Sequence, residues 1–165
     1  MEKYDELLVS LRKIIRSIDL HSKKLNKNSG LTGPQLLVLQ SINRTNGITA
    51  KAIAENVNLS QGTITSILDR LAAKGAISRV RSETDRRRIS VYLTAEGENL
   101  LNQSPKPLQD HFIERFQSLE IWEQNQLLAS AGKIAAMMDA SELDAAPLLE
   151  IGAIVEHEQD DTDIS

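Results

Sequence analysis

Apolar residues recur along this chain at two different spacings, and the switch between them marks its centre. From residue 3 to 26, Leu7, Leu8, Leu11, Ile14, Ile15 and Ile18 form one stripe at helical spacing. Lys23, Lys24 and Lys27 follow, where cations suit the end of a helix dipole. Asn28-Ser29-Gly30 reads as a loop. Thr32 then stands as an N-cap, with Pro34 in the first turn and Gln35 at the capping-box position of a helix reaching about Ile42. Asn46-Gly47 breaks the chain. Between Thr49 and Val57, Ala50, Ile53, Ala54 and Val57 fall at i, i+3, i+4 and i+7. After Asn58-Leu59 another helix opens at Ser60, a good N-cap, and turns Ile64, Ile67, Leu68 and Leu71 inward. Gly75 ends it, and the period changes. Ile77, Val80, Ile89, Val91 and Leu93 flank the polar stretch 82–88, which is a hairpin signal. Beyond it Thr94 caps a helix that takes Leu100 and Leu101 inward, and Pro105 and Pro107 end or kink it. Phe112, Ile113, Phe116 and Leu119 are the apolar positions of the next helix. Trp122, Leu127, Leu128, Ala131, Ile134, Ala135 and Met138 belong to a last one.

Two short helices, a tight turn and a hairpin are the layout of a winged helix-turn-helix. The expected fold is therefore mostly α with a small antiparallel β wing, between N- and C-terminal helices whose leucine-rich stripes need a partner surface. A homodimer formed by the two ends would supply that surface, and it would give the two-fold symmetry that matches palindromic half-sites. The layout also says which side chains should meet double-stranded DNA. The helix from Ser60 to Lys74 is expected in the major groove, with Ser60, Gln61, Thr63 and Thr65 aimed at base edges. Ser66 and Arg70 further along suit phosphates that set register, and Gly62 lets the backbone come close. Ser60 and Gly62 could equally serve only to start the helix. The hairpin tip carries Arg86, Arg87 and Arg88 beside Asp85, and a guanidinium entering a narrow minor groove meets enhanced negative potential. Arg79 and Arg81 on the preceding strand are candidates for phosphate contacts.

The overall charge of −4 argues against a nucleic-acid partner only if it is spread evenly. It is not: residues 1–94 hold 16 Lys and Arg against 8 Asp and Glu, whereas residues 95–165 hold 3 against 15. A basic half joined to an acidic remainder lets an acidic protein approach phosphates. From Asp139 to Ser165 there are nine acids and no Lys or Arg, around an apolar patch at Leu148, Leu149, Ile151, Ile154 and Val155. That extension reads as an acidic tail, disordered from Glu156, although the patch could form a docking helix.

The absence of cysteine removes disulfides, cysteine-ligated zinc and thiol redox sensing, and it fits a reducing cytoplasm. The charged N-terminus is unlike a signal peptide, and no apolar run approaches the ~18 residues of a spanning helix, so no membrane association is expected. Aromatics are only 3% of residues, so the core must be built of Leu, Ile, Val and Ala. His21, His111 and His157 lie far apart on separate segments, and neither a glycine-rich phosphate loop nor a Ser-His-Asp arrangement is evident. Catalysis, a metal and a cofactor are therefore not expected. The alternative to a DNA reader is a protein-binding module on the same scaffold, with its acidic tail as the docking arm.

Three signatures give the layout a family. Leu31-Thr32 with Gln35 and Val38-Leu39 is the first, and the run from Thr63 to Leu71 leading to Lys74-Gly75 is the second. Asp85-Arg86-Arg87-Arg88 closing on Leu93-Thr94-Ala95-Glu96-Gly97 is the third. In this order they closely resemble the MarR family of bacterial transcriptional regulators, over roughly residues 5–138. The resemblance implies a triangular homodimer within 1–138, with a DNA-binding lobe at 30–94, dimerisation helices at 1–29 and 95–138, and the acidic extension 139–165 outside the common pattern. It implies repression by occupying a promoter palindrome, often relieved by a small ligand. It also implies that Asp85 pairs with a nearby arginine and braces the loop, leaving Arg86 or Arg87 to reach the groove. A pocket for such an effector is expected between the first helix, the Thr32 helix and the helix after the wing, with Arg16, Leu20, His21 and Lys24 as candidate liners. More finely, Asp19 to Leu25 with Gly30 to Leu36 resembles the branch that controls ectoine and other compatible-solute genes.

Overall fold

The computed structural model describes residues 2–142, so the apolar patch at 148–155 and the tail from Glu156 lie outside the described residues. Among these, the order of elements is α1 (Lys3–Ser29), α2 (Gly33–Arg44), β1 (Ile48–Thr49), α3 (Ala50–Val57), α4 (Gln61–Ala73), β2 (Ile77–Arg81), β3 (Ile89–Leu93), α5 (Ala95–Gln103), α6 (Leu108–Gln117) and α7 (Ile121–Met137). This is the expected winged helix-turn-helix between helical ends.

The helix starts are set by side chains that replace missing backbone partners. Thr32 and Gln35 form a reciprocal capping box at α2, Thr49 accepts from the Ala52 amide at α3, Ser60 from Thr63 at α4, and Thr94 from Gly97 at α5. Each such cap is worth about 1 kcal/mol. The turn between α3 and α4 needs a left-handed residue, and Asn58 supplies it at φ 53°, a conformation that asparagine tolerates better than most. The Leu59 amide then returns to the Ala54 carbonyl at 3.1 Å.

The core sits where α2, α3 and α4 converge over the sheet. Leu36, Leu39, Ile42, Ile53, Ile64, Leu71 and Val91 are almost wholly removed from water. Burial of one such side chain contributes about 1.5–3 kcal/mol, so this cluster dominates the lobe's stability. No aromatic residue takes part, as the composition required.

The two-residue strand β1 was not foreseen. It pairs antiparallel with β3, Ile48 opposite Val91, so the sheet runs β1-β3-β2 and ties the start of α3 to the wing. A pair of residues carries too little periodicity to announce itself. Gly47 precedes it at φ 79°, and any side chain there would meet the Tyr92 ring. Gly97 on α5 sits against the turn before β2, where a Cβ would collide with the Ala76 carbonyl.

The ends of the chain pack differently. Of α1 only Leu25 is buried, while Leu7, Leu8, Ile14 and Ile15 face solvent, as do Phe112 and Ile113 of α6 and Ile121, Trp122, Leu127 and Leu128 of α7. The predicted stripes are thus amphipathic helices without a partner surface within the described chain. Among the described residues, no helix is long and apolar enough to cross a membrane.

Candidate nucleic-acid interface

The second helix of the pair presents a polar face because its apolar positions are spent on the core. Ile64, Ile67, Leu68 and Leu71 are buried, leaving Gln61, Gly62, Thr65 and Arg70 exposed, with Thr63 and Ser66 half-buried. Ser60 is held as the N-cap: its Oγ accepts from the Thr63 amide at 3.1 Å and shares a 2.8 Å hydrogen bond with the Thr63 hydroxyl. The Thr65 hydroxyl donates to the Gln61 carbonyl at 2.9 Å. Those three hydroxyls therefore have internal partners. Among the described residues, the side-chain amide of Gln61 and the guanidinium of Arg70 have none. A Cβ on Gly62 would meet nothing within 4 Å, so this position does not need glycine for packing.

The hairpin is a regular two-stranded ladder from Ile77–Leu93 to Arg81–Ile89. Its base is buried through Ile77 and Val91, but Val80 and Ile89 further out are 53% and 36% exposed. The apolar positions that signalled the hairpin are thus buried only at its base, because nothing among the described residues covers the outer half. The tip is organised by short local bonds. The Ser82 amide donates to the Arg88 carbonyl and the Arg88 amide to the Asp85 carbonyl, both at 2.9 Å. The Asp85 amide donates to the Ser82 Oγ, and the Asp85 carboxylate accepts from the Arg87 amide at 3.0 Å.

One expectation is corrected here, and one candidate phosphate ligand has a partner inside the chain. Asp85 braces the loop, but through the backbone of Arg87 rather than through an arginine side chain. A carboxylate two residues before an amide can close an Asx-type turn locally, which a long guanidinium arm is not needed for. Arg79, a candidate for a phosphate contact, donates to Asp69 of α4 at 2.6 Å. That bond ties wing to helix, and it is not legible in the sequence because the two residues are ten apart on different elements. Arg81, Arg86, Arg87 and Arg88 are exposed, and among the described residues none of their guanidinium groups has an ion pair. Lys74, at the end of α4, donates to the Gly30 carbonyl at 2.8 Å and so pins the lobe to the loop after α1.

The four expected pocket liners are not brought together. Arg16 and Leu20 lie on one face of α1, in a concavity lined by α1 residues alone, and Arg16 pairs with Asp19 at 3.2 Å. His21 follows Arg16 by five residues, which at 100° each turns it about 140° away. Its Nε2 is buried without a hydrogen-bond partner among the described residues. Burial holds the His21 pKa below the usual histidine value, helped by the charges of Lys24 and His111, while the Lys106 backbone works the other way. Lys24 is exposed. A separate groove between α1 and α6, of about 250 Å³, is lined by Ile14, Ser17, Ile18, Leu108, His111, Phe112 and Arg115. Among the described residues, no cluster of His, Asp or Glu could hold a metal.

Comparison with known proteins points one way. The profile of the MarR family matches residues 31–89, from the residue before the α2 cap to the first residue of β3. The HTH-type transcriptional regulator TtmR of Methylorubrum extorquens (strain PA1) is 40% identical over 70 residues, which is 42% of this chain and 36% of that protein. The HTH-type transcriptional repressor MdtR of Bacillus subtilis (strain 168) is 30% identical over 59% of this chain and 66% of its own length. The matches thus span about a third of the first of these relatives and just under two thirds of the second. Among solved structures, the transcriptional regulator BldR from Sulfolobus solfataricus is 28% identical with a TM-score of 0.52, over 83% of this chain and 99% of that one.

Proposed function

We propose that the chain is a MarR-type transcriptional regulator, to which the family match over residues 31–89 and the relatives above point, and that it acts as a sequence-specific DNA-binding homodimer on a palindromic promoter site. The observation that carries this reading is the wing tip. Three consecutive arginines are held on a hydrogen-bonded loop, without ion pairs among the described residues, and the Arg79–Asp69 bond couples that wing to the exposed polar face of α4. Charge kept free of internal partners and rigidly mounted is what a phosphate-lined groove rewards.

In this reading α4 enters the major groove. Gln61, whose side-chain amide has no partner among the described residues, pairs with adenine, and the methyl groups of Thr63 and Thr65 pack on thymine methyls, while the hydroxyls stay with the helix. Ser66 and Arg70 take phosphates. Arg86 or Arg87 reaches the minor groove, Arg88 and Arg81 the flanking backbone, and Arg79 serves first as the strut between wing and helix. The exposed apolar residues of α1, α6 and α7 form the dimer interface, within a domain spanning 1–138. Repression follows from occupying the promoter, and the relative MdtR is itself named a transcriptional repressor. Response to a small effector is part of the proposal, with the His21 region as its place. The regulated genes are proposed to be those for compatible solutes such as ectoine, on the resemblance around Asp19–Leu25.

A shift assay with the chain's own upstream intergenic region at low salt tests this reading. Retardation by a folded dimer is the expected result, and failure to bind that fragment would overturn it. Ectoine or glycine-betaine genes beside the coding sequence would support the pathway, and efflux or aromatic-degradation genes would contradict it.

A further inference from the structure

The outer face of α1 carries a surplus of charge that neither the reading helix nor the wing uses. Val9, Arg12, Lys13, Arg16, Ser17 and Leu20 line one shallow concavity there. They recur from Val9 at i+3, i+4, i+7, i+8 and i+11, a single helix face. At 100° per residue that face lies roughly opposite Ile14 and Ile18, away from the apolar stripe. Lys23, Lys24 and Lys27 extend it. From residue 12 to 27 there are six cations against one acid, Asp19. Asp19 bridges Arg16 at 3.2 Å and Lys23 at 2.9 Å, and these bonds hold its pKa low. Arg12, Lys13, Lys24 and Lys27 keep no ion pair among the described residues.

We propose that residues 143–165 of this same chain dock on that face. Both of its chemical properties are mirrored in that segment, which has seven acids and no Lys or Arg, around the apolar run Leu148, Leu149, Ile151, Ile154 and Val155. Leu20 and Val9, 51% and 37% exposed, offer the apolar patches between the cations. Fully extended, these 23 residues measure about 75–80 Å, roughly twice the length of α1 at about 40 Å. Opposite charges that pass within a screening length attract, about 30 Å at 0.01 M salt and about 3 Å at 1 M. A covered α1 would leave the wing and α4 as the main cationic surface open to a duplex.

The chain has no cysteine, so Gln159→Cys creates a unique site for a spin label in the full-length protein. The expected result is a selective loss of amide signal along residues 9–27 at low ionic strength, recovered at about 1 M salt. The variant Glu150→Gln, Glu156→Gln, Glu158→Gln leaves residues 2–142 unchanged and should restore the α1 signals. Loss centred on residues 82–88 or on α4 would place the segment on the wing and helix and overturn the proposal. So would uniform signals, or a loss that the neutralised variant leaves in place.

Discussion

Arg79 and Arg87 are eight residues apart in one hairpin and face opposite demands. The first is 34% exposed and bonded to Asp69 at 2.6 Å, whereas the second lends only its backbone to Asp85. Replacing Arg87 by alanine removes a guanidinium that makes no contact with a partner among the described residues. Affinity for the operator is expected to fall about tenfold, or about 1.4 kcal/mol, with an unchanged melting temperature. Melting that drops together with binding would make the tip structural. Asp69→Asn separates the two roles differently. The pair is exposed, so its loss should cost at most about 1 kcal/mol of stability, yet binding should weaken because the wing loses its tether to α4. A shift assay and a thermal melt of the same sample distinguish these effects. At this scale the sequence was least informative, since it named the arginines but could not say which carboxylate each would meet.

Among the elements, helices with a full apolar repeat and a polar cap were legible almost to the residue. Thr32, Thr49, Ser60 and Thr94 each accept the amide expected of an N-cap. What escaped notice depends on contacts between elements. β1 is two residues long and exists only because β3 lies beside it. The outer wing reads as apolar at Val80 and Ile89, but no neighbour buries them. Of the four pocket liners, helical rotation turns His21 away from the face that holds Arg16, Leu20 and Lys24. Gly97 is a related case: its role is the seam between α5 and the Ala76 carbonyl, invisible in sequence. Alanine normally favours a helix over glycine by about 1 kcal/mol, but here its methyl meets backbone that cannot rotate away. Overpacking of this kind costs about 1–3 kcal/mol, so Gly97→Ala should lower the melting temperature by several degrees. A rise instead would mean that the seam opens without strain.

On the scale of the whole molecule, α1 and α6 meet around His21, whose buried Nε2 lacks a partner and whose pKa is lowered. The unfolded chain binds this proton at the ordinary value of about 6.5, and the folded chain only at lower pH. Stability should therefore be full above pH 7 and fall as pH drops through 6.5 towards the lowered value, below which the whole penalty applies. Melts between pH 7.5 and 5.5 should show this loss, and His21→Gln should flatten it. A steeper profile in the variant would contradict the assignment.

Positive charge mounted on a rigid wing and helix should grip a duplex mainly through phosphates. If each lobe makes about four such contacts, the logarithm of affinity should fall with the logarithm of salt at a slope near −7 for the dimer, from about 0.9 per phosphate. Fluorescence anisotropy on the upstream fragment over a salt series measures that slope directly. A value near −7, reduced in Arg87→Ala, is what the charged wing requires, and affinity indifferent to salt would contradict it.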